Sequence, residues 1–203
     1  ENQITVKTKL IMISHMINIT GQILPVKKIC RMAKNYGVQV LVDGAHCVGH
    51  FDFKIDELGC DYYGSSLHKW LATPLGAGLL YVDTKHIPNI WPLIADHEKN
   101  PKKIQRLSHT GTHPCSTDLS IIDSIEYLNW IGIKRKEKRL HYLKSYWIDA
   151  LKDNPRIIIN TPHDNKRSCG IGNVGIKNMK PDLLAKRLFE GFKIFTVAID
   201  YAN

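Results

Sequence analysis

At 203 residues, 43% hydrophobic and 23% charged, the chain has the composition of an ordinary globular protein and can bury one sizeable core or two small ones. No apolar run approaches the roughly 20 residues that span a bilayer, and the polar start lacks the basic-then-apolar pattern of a secretory signal, so a cytoplasmic location is expected. Five cysteines, Cys30, Cys47, Cys60, Cys115 and Cys169, are odd in number, scattered and without a CxxC pair, which argues against a disulfide framework or a structural zinc.

Residues 1–9 are polar, and 10–13 read as a short buried strand ending at Ser14-His15. The loop 16–21 follows; taken alone, Asn18 and Gly21 are turn residues. Pro25 opens a helix to about Tyr36, with Val26, Ile29, Cys30 and Ala33 on one face, Lys27, Lys28, Arg31 and Lys34 on the other, and Gly37 at its close. The β-branched run 38–42 is the next strand and stops at Asp43-Gly44-Ala45-His46. Strand, helix and strand form a βαβ unit, whose right-handed crossover makes the strands parallel and puts their loops on one rim. His46, Cys47 and His50 suggest metal ligands, but the other half of such a site is missing. Residues 55–58 allow one helical turn. The run 60–65 is a further strand, ending at Ser66-Leu67-His68-Lys69-Trp70.

Continuous apolar runs of this kind fit strands buried on both faces of a parallel sheet, and open sheets of that type bind ligands beyond the carboxyl ends of their strands. The glycine-marked return through 70–78 into 79–82 favours an antiparallel neighbour. Residues 84–107, with Pro88, Pro92 and Pro101, form an active-site or interface loop by length, or else a disordered surface excursion. A helix is expected over 116–130, with Leu119, Ile122, Ile125, Tyr127 and Leu128 mostly buried. Gly132 is the expected break into a second lobe: a long helix to about Asp153, the runs 157–159 and 170–176, a helix led by Pro181, and the run 192–199.

The net charge of +9 invites a nucleic-acid reading, and the densest basic run is 134–139. It is interrupted by Glu137 and followed by Leu140, Leu143, Trp147, Ile148 and Leu151 at helical spacing. A solvated helix face over a buried stripe explains it better, and no nucleic-acid-binding motif accompanies it.

A carboxylate ending one strand and a lysine beyond the end of another are placed to face one ligand. Asp43, His46, Ser66, His68 and Lys69 together suit a cofactor that needs an anionic partner, a phosphate cradle and an amine. Pyridoxal 5'-phosphate (PLP) has those needs. Singly, each residue has a plainer reading: a turn Asp, a hydrogen-bonded His, a solvated Lys. Their combination is what points to a site.

DGAH at 43–46 followed by SLHKW at 66–70 resembles the class V aminotransferase family of PLP-dependent enzymes, and most of all its isopenicillin N epimerase-like branch. The motifs extend from about Leu10 to Thr112 and more loosely beyond. The resemblance implies an α/β fold of the PLP-dependent transferase type (fold type I), a mainly parallel sheet with flanking helices plus the start of a small C-terminal α/β domain. It divides the chain into a partial large PLP-binding domain, 1–131, and a partial small domain, 132–203. By resemblance Lys69 holds PLP as a Schiff base and, once freed by the substrate amine, moves protons at the α-carbon. Asp43 keeps the pyridine nitrogen protonated. Asn18 and His46 address the phenolate oxygen, and Ser66, His68 and Thr112 the phosphate, Thr112 across a homodimer. Trp70 reads as a packing residue.

The substrate implied is an amino acid or amine. Epimerisation, transamination and carbon–sulfur lysis share these residues, so the choice among them stays open. A cysteine desulfurase would need a mobile nucleophilic cysteine, and Cys115 and Cys169 do not stand in a matching place. The chain starts at a middle strand of the family fold and stops before its substrate-carboxylate arginine, so a fragment is expected. The alternative from another class is a nucleotide-binding or structural α/β module, against which stands the lack of a GxGxxG or Walker-type loop.

Overall fold

The computed structural model describes residues 1–95, 97–109, 111–112 and 115–200. The chain forms two compact units, Glu1–Met16 with Leu24–Lys134, and Ile17–Ile23 with Arg135–Asn203.

The first unit is built on a four-stranded sheet in the order β1-β2-β3-β4. β1 (Leu10–Ser14) is parallel to β2 (Gln39–Asp43), which is parallel to β3 (Tyr62–Ser66), whereas β4 (Gly78–Val82) runs antiparallel to β3. The crossover from β1 to β2 is α1 (Val26–Asn35), whose Val26, Cys30 and Ala33 are buried with Val38, Val40 and Val42. Each fully buried valine contributes about 1.5–3 kcal/mol. α2 (Ile55–Leu58) is the single turn expected from its length.

Burial on both strand faces does not hold. In β2 and β3 buried residues alternate with half-buried ones, and at the sheet edge Leu10 and Met12 of β1 are exposed. A strand with a neighbour on one side only has less to cover it.

Among the described residues of 84–107, Arg106 ties the start of the segment to its end. Two 3₁₀ turns, Thr84–Asn89 and Ile104–Leu107, bracket the loop. The buried Arg106 guanidinium donates to the carbonyls of Ile87 at 2.6 Å, Ile90 at 2.5 Å and Pro101 at 3.1 Å.

The helix expected over 116–130 is α3 (Cys115–Ile131), but it presents a different face. Ile121 and Leu128 pack against Leu67, Leu71 and Ala77, while Leu119, Ile122, Ile125 and Tyr127 are exposed. Apolar residues lie all round this helix, so spacing alone does not rank its faces. The inward side also carries Ser120 and Ser124, both half-buried.

In the second unit, α4 (Ile133–Leu151) buries Ile148 and, unexpectedly, Lys144, while Leu143 is exposed. The stripe is turned by one residue because Lys144 Nζ donates to Ser168 Oγ at 2.7 Å and Asn165 Oδ1 at 3.1 Å, partners that offset the cost of burying an ammonium. β5 (Ile157–Ile159) and β6 (Val174–Ile176) pair antiparallel, and α5 (Pro181–Phe192) follows with Pro181 in its first turn. Residues 193–200 form no strand, and Phe195 and Val197 are exposed. Ile17–Ile23 joins this unit through a bridge from Gln22 to Ser168 and a 2.7 Å bond from Ile23 N–H to the Arg167 carbonyl.

Candidate active site

β2 and β3 are adjacent and parallel, and Asp43 at the end of β2 is level with Gly64 and Ser14. Beyond it the chain turns at once. Asp43 Oδ1 accepts the Ala45 N–H at 2.9 Å, Gly44 N–H reaches the Gly64 carbonyl at 2.8 Å, and Ser65 Oγ donates to the Gly44 carbonyl at 2.8 Å. Gly44 lies so close on the Tyr63 phenol that any Cβ there would overlap it.

Beneath this turn is a buried polar layer. Tyr63 Oη and His15 Nδ1 are 3.0 Å apart. Burial pulls the His15 pKa from 6.5 to about 4, which keeps the ring neutral, and pushes the Cys47 thiol up to about 12. Burial, with Cys47 beside it, likewise raises the Tyr63 phenol.

Lys69 follows β3, and its Nζ lies 3.1 Å from His46 Nε2. Trp70 Nε1–H donates to the other nitrogen of that ring, His46 Nδ1, at 3.4 Å. The buried His50 stacks on Trp70, with ring centroids 3.6 Å apart and planes 15° from parallel, and its Nδ1–H donates to the His46 carbonyl at 2.7 Å. Gly49, at φ 76°, makes this possible: a Cβ there would meet the Leu71 backbone at 2.8 Å. Burial lowers the His46 pKa, the Lys69 charge lowers it further, and Asp43 opposes them.

Asp43, His46 and Lys69 are therefore brought together, with Lys69 in hydrogen-bond reach of His46 and Asp43 acting on it by charge. Ser66 closes β3 opposite Gly78 and is half-buried. His68 is half-buried, and its Nδ1 is buried without a hydrogen-bond partner among the described residues. Thr112 is exposed ahead of α3. Asn18 is exposed and belongs to the second unit.

Sequence reasoning gave Tyr63 and His15 no role in the site, read Trp70 as a packing residue and weighed His50 only as a metal ligand. His46 and His50 stand four apart, and the spacing suggested only a metal. Their joint convergence on the Trp70 indole, 24 residues on from His46, leaves no local signal.

The architecture is that of fold-type I PLP-dependent enzymes. The cysteine desulfurase CsdA of Escherichia coli matches it with a TM-score of 0.79 at 22% identity, over 93% of this chain and 48% of that one. The apo cysteine desulfurase of Thermococcus onnurineus NA1 matches with a TM-score of 0.72 at 24% identity, over 90% of this chain and 48% of that one. The chain belongs to the aminotransferase class-V family, whose family model matches residues 1–197. It is 30% identical over 190 residues to a probable cysteine desulfurase of Halalkalibacterium halodurans, covering 89% of this chain and 46% of that protein. It is 28% identical over 181 residues to the isopenicillin N epimerase of Streptomyces clavuligerus, covering 81% of this chain and 46% of that protein. The chain thus spans about half the length of the curated relatives it matches.

Proposed function

We propose that this chain carries the PLP site of an enzyme acting on an amino acid or amine, most like the isopenicillin N epimerase type. The observation that carries the reading is the approach of Lys69 Nζ to His46 at the rim where Asp43 ends the adjacent strand. The fit extends to the phosphate: the unpartnered His68 Nδ1 is the kind of buried group that needs a ligand atom to complete it, and Ser66 adds a hydroxyl near by in sequence. When bound, PLP supplies an electron sink for a carbanion at the substrate's α-carbon.

The protein's part is to aim groups at it. Lys69 Nζ would hold the cofactor and would move a proton at the substrate carbon. Asp43 holds a proton at the ring nitrogen, since a nearby carboxylate favours the charged form. His46 donates toward the phenolate oxygen. The assignments of Asn18 and Thr112 rest on the motifs they match, Thr112 as a contact with the phosphate across a homodimer, for which the exposed apolar face of α3 is available.

A second reading, a cysteine desulfurase or carbon–sulfur lyase, draws on the relatives' names. Among the described cysteines only Cys115 is exposed, and it begins α3. Mixing with PLP should give a visible absorption band that Lys69→Ala abolishes; a band that survives that substitution would remove Lys69 from the role. Sulfide release from cysteine by the whole protein, without epimerisation, would select the second reading.

A further inference from the structure

We propose that Tyr63 is a positioning residue for Asp43: its hydroxyl, bonded to His15, closes a ring of contacts that fixes the place from which the Asp43 carboxylate addresses the cofactor's ring nitrogen. The inference deepens the proposed function and rests on the reading of Asp43 as the partner of that nitrogen.

The ring can be followed bond by bond. The Asp43 carbonyl accepts the His15 N–H at 2.8 Å. The His15 side chain reaches Tyr63 beneath the turn, with Nδ1 3.0 Å from Oη. The residue after Tyr63, Gly64, accepts the Gly44 N–H at 2.8 Å, and Gly44 directly follows Asp43. Asp43 is thus gripped through its own carbonyl on one side and through the next amide on the other, and the bond between His15 and Tyr63 links the two grips. That bond forms with either neutral tautomer of His15: a bare Nδ1 accepts the phenol's hydrogen, and a protonated one donates to its oxygen. The carboxylate is turned back on the same loop, its Oδ1 accepting the Ala45 N–H at 2.9 Å.

Packing converts the link into a position. Tyr63 is fully buried, and because a Cβ at Gly44 would overlap its Cζ and Oη, the turn rests directly on the tip of the phenol. Phe53 flanks the Tyr63 ring at 5.8 Å, and Phe51 and Phe53 box the His15 ring at 5.5 and 4.9 Å between centroids. A phenylalanine would fill the same space in this aromatic box. A hydroxyl there loses its water and is tolerated only when bonded, and its bond to His15 sets where the phenol's tip, and with it Gly44, comes to lie.

Amide chemical shifts of the ¹⁵N-labelled chain test this without any cofactor. Tyr63→Phe keeps the ring and removes only the hydroxyl. The Ala45 amide proton, drawn downfield by its bond to Asp43 Oδ1, should move upfield in that variant. His15→Leu, which breaks the same bond from the other end, should reproduce the change, whereas His15→Asn, whose amide takes the place of Nδ1, should leave Ala45 as in the parent. A hydroxyl that only stabilised the fold would leave the Ala45 shift of the folded chain where it is. With PLP as the probe, Tyr63→Phe should weaken binding about fivefold, the equivalent of one ordinary hydrogen bond. In an Asp43→Asn background it should weaken binding no further, because effects that pass through one group do not add. An unmoved Ala45 amide in Tyr63→Phe overturns the proposal, as does an equal loss of PLP affinity in the two backgrounds. If Tyr63→Phe does not fold, an unmoved Ala45 amide in His15→Leu overturns it alone. Failure of PLP to attach at Lys69 would overturn the functional reading instead, because the Ala45 shift is read in its absence.

Discussion

His15 carries a pH dependence that can be measured apart from catalysis. Its pKa falls from 6.5 to about 4 on burial, so between those values the unfolded chain binds a proton that the folded chain refuses. Stability therefore rises with pH through this window and is lost as pH falls, by about 3 kcal/mol in all. Urea unfolding at pH 7 and pH 4.5 should show His15→Gln losing less stability on acidification than the parent; equal losses would exclude His15 as the source. Asp43→Asn should keep attachment of PLP at Lys69 while most turnover of the whole enzyme disappears, because an amide cannot favour a protonated ring nitrogen. Turnover at the parent rate would remove Asp43 from that role. Asp43, His46 and Lys69 were legible because each stands at or just beyond the end of a strand that its own local pattern predicts. Tyr63 and His15 were not, because the packing of Tyr63 under Gly44 and its bond to His15 join residues far apart in the chain.

Among the elements, α1, β2 and the reversed β4 could be read from turn residues and period. α3 could not be oriented, since Ile121 and Leu128 face inward only because Leu67, Leu71 and Ala77 are there to receive them. The loop 84–107 was ambiguous for a related reason: its two ends are tied by one long side chain folding back on three carbonyls. Arg106→Met should leave those carbonyls without their donor and cost about 2 kcal/mol. Limited proteolysis should then cut within 84–107 faster than in the parent, as expected for a segment whose local opening has become easier. An unchanged cleavage pattern would show that the 3₁₀ turns hold the loop unaided.

For the whole molecule, the sequence reading expects a large domain over 1–131 and a small one over 132–203; by compactness the chain passes from the first unit to the second between Lys134 and Arg135, and the second also takes in Ile17–Ile23. That inclusion depends on pairing with Ser168 and Arg167, which no window around Gln22 contains. Lys144, buried by the same stretch, was hidden in the same way.

The antiparallel partnership of β3 and β4 also has a bearing on time. Parallel strands wait for a long crossover to close, whereas β3 and β4 meet through the single excursion 67–77, and pairings between near neighbours in sequence form soonest. Val82→Ala, in β4, should therefore slow folding in stopped-flow traces, while Val40→Ala, in β2, should mainly hasten unfolding; the reverse pattern would place β2 in the nucleus. Since 67–77 includes Lys69, that order would lay the lysine proposed to be reactive down in an early hairpin, with the strand bearing Asp43 docking beside it afterwards.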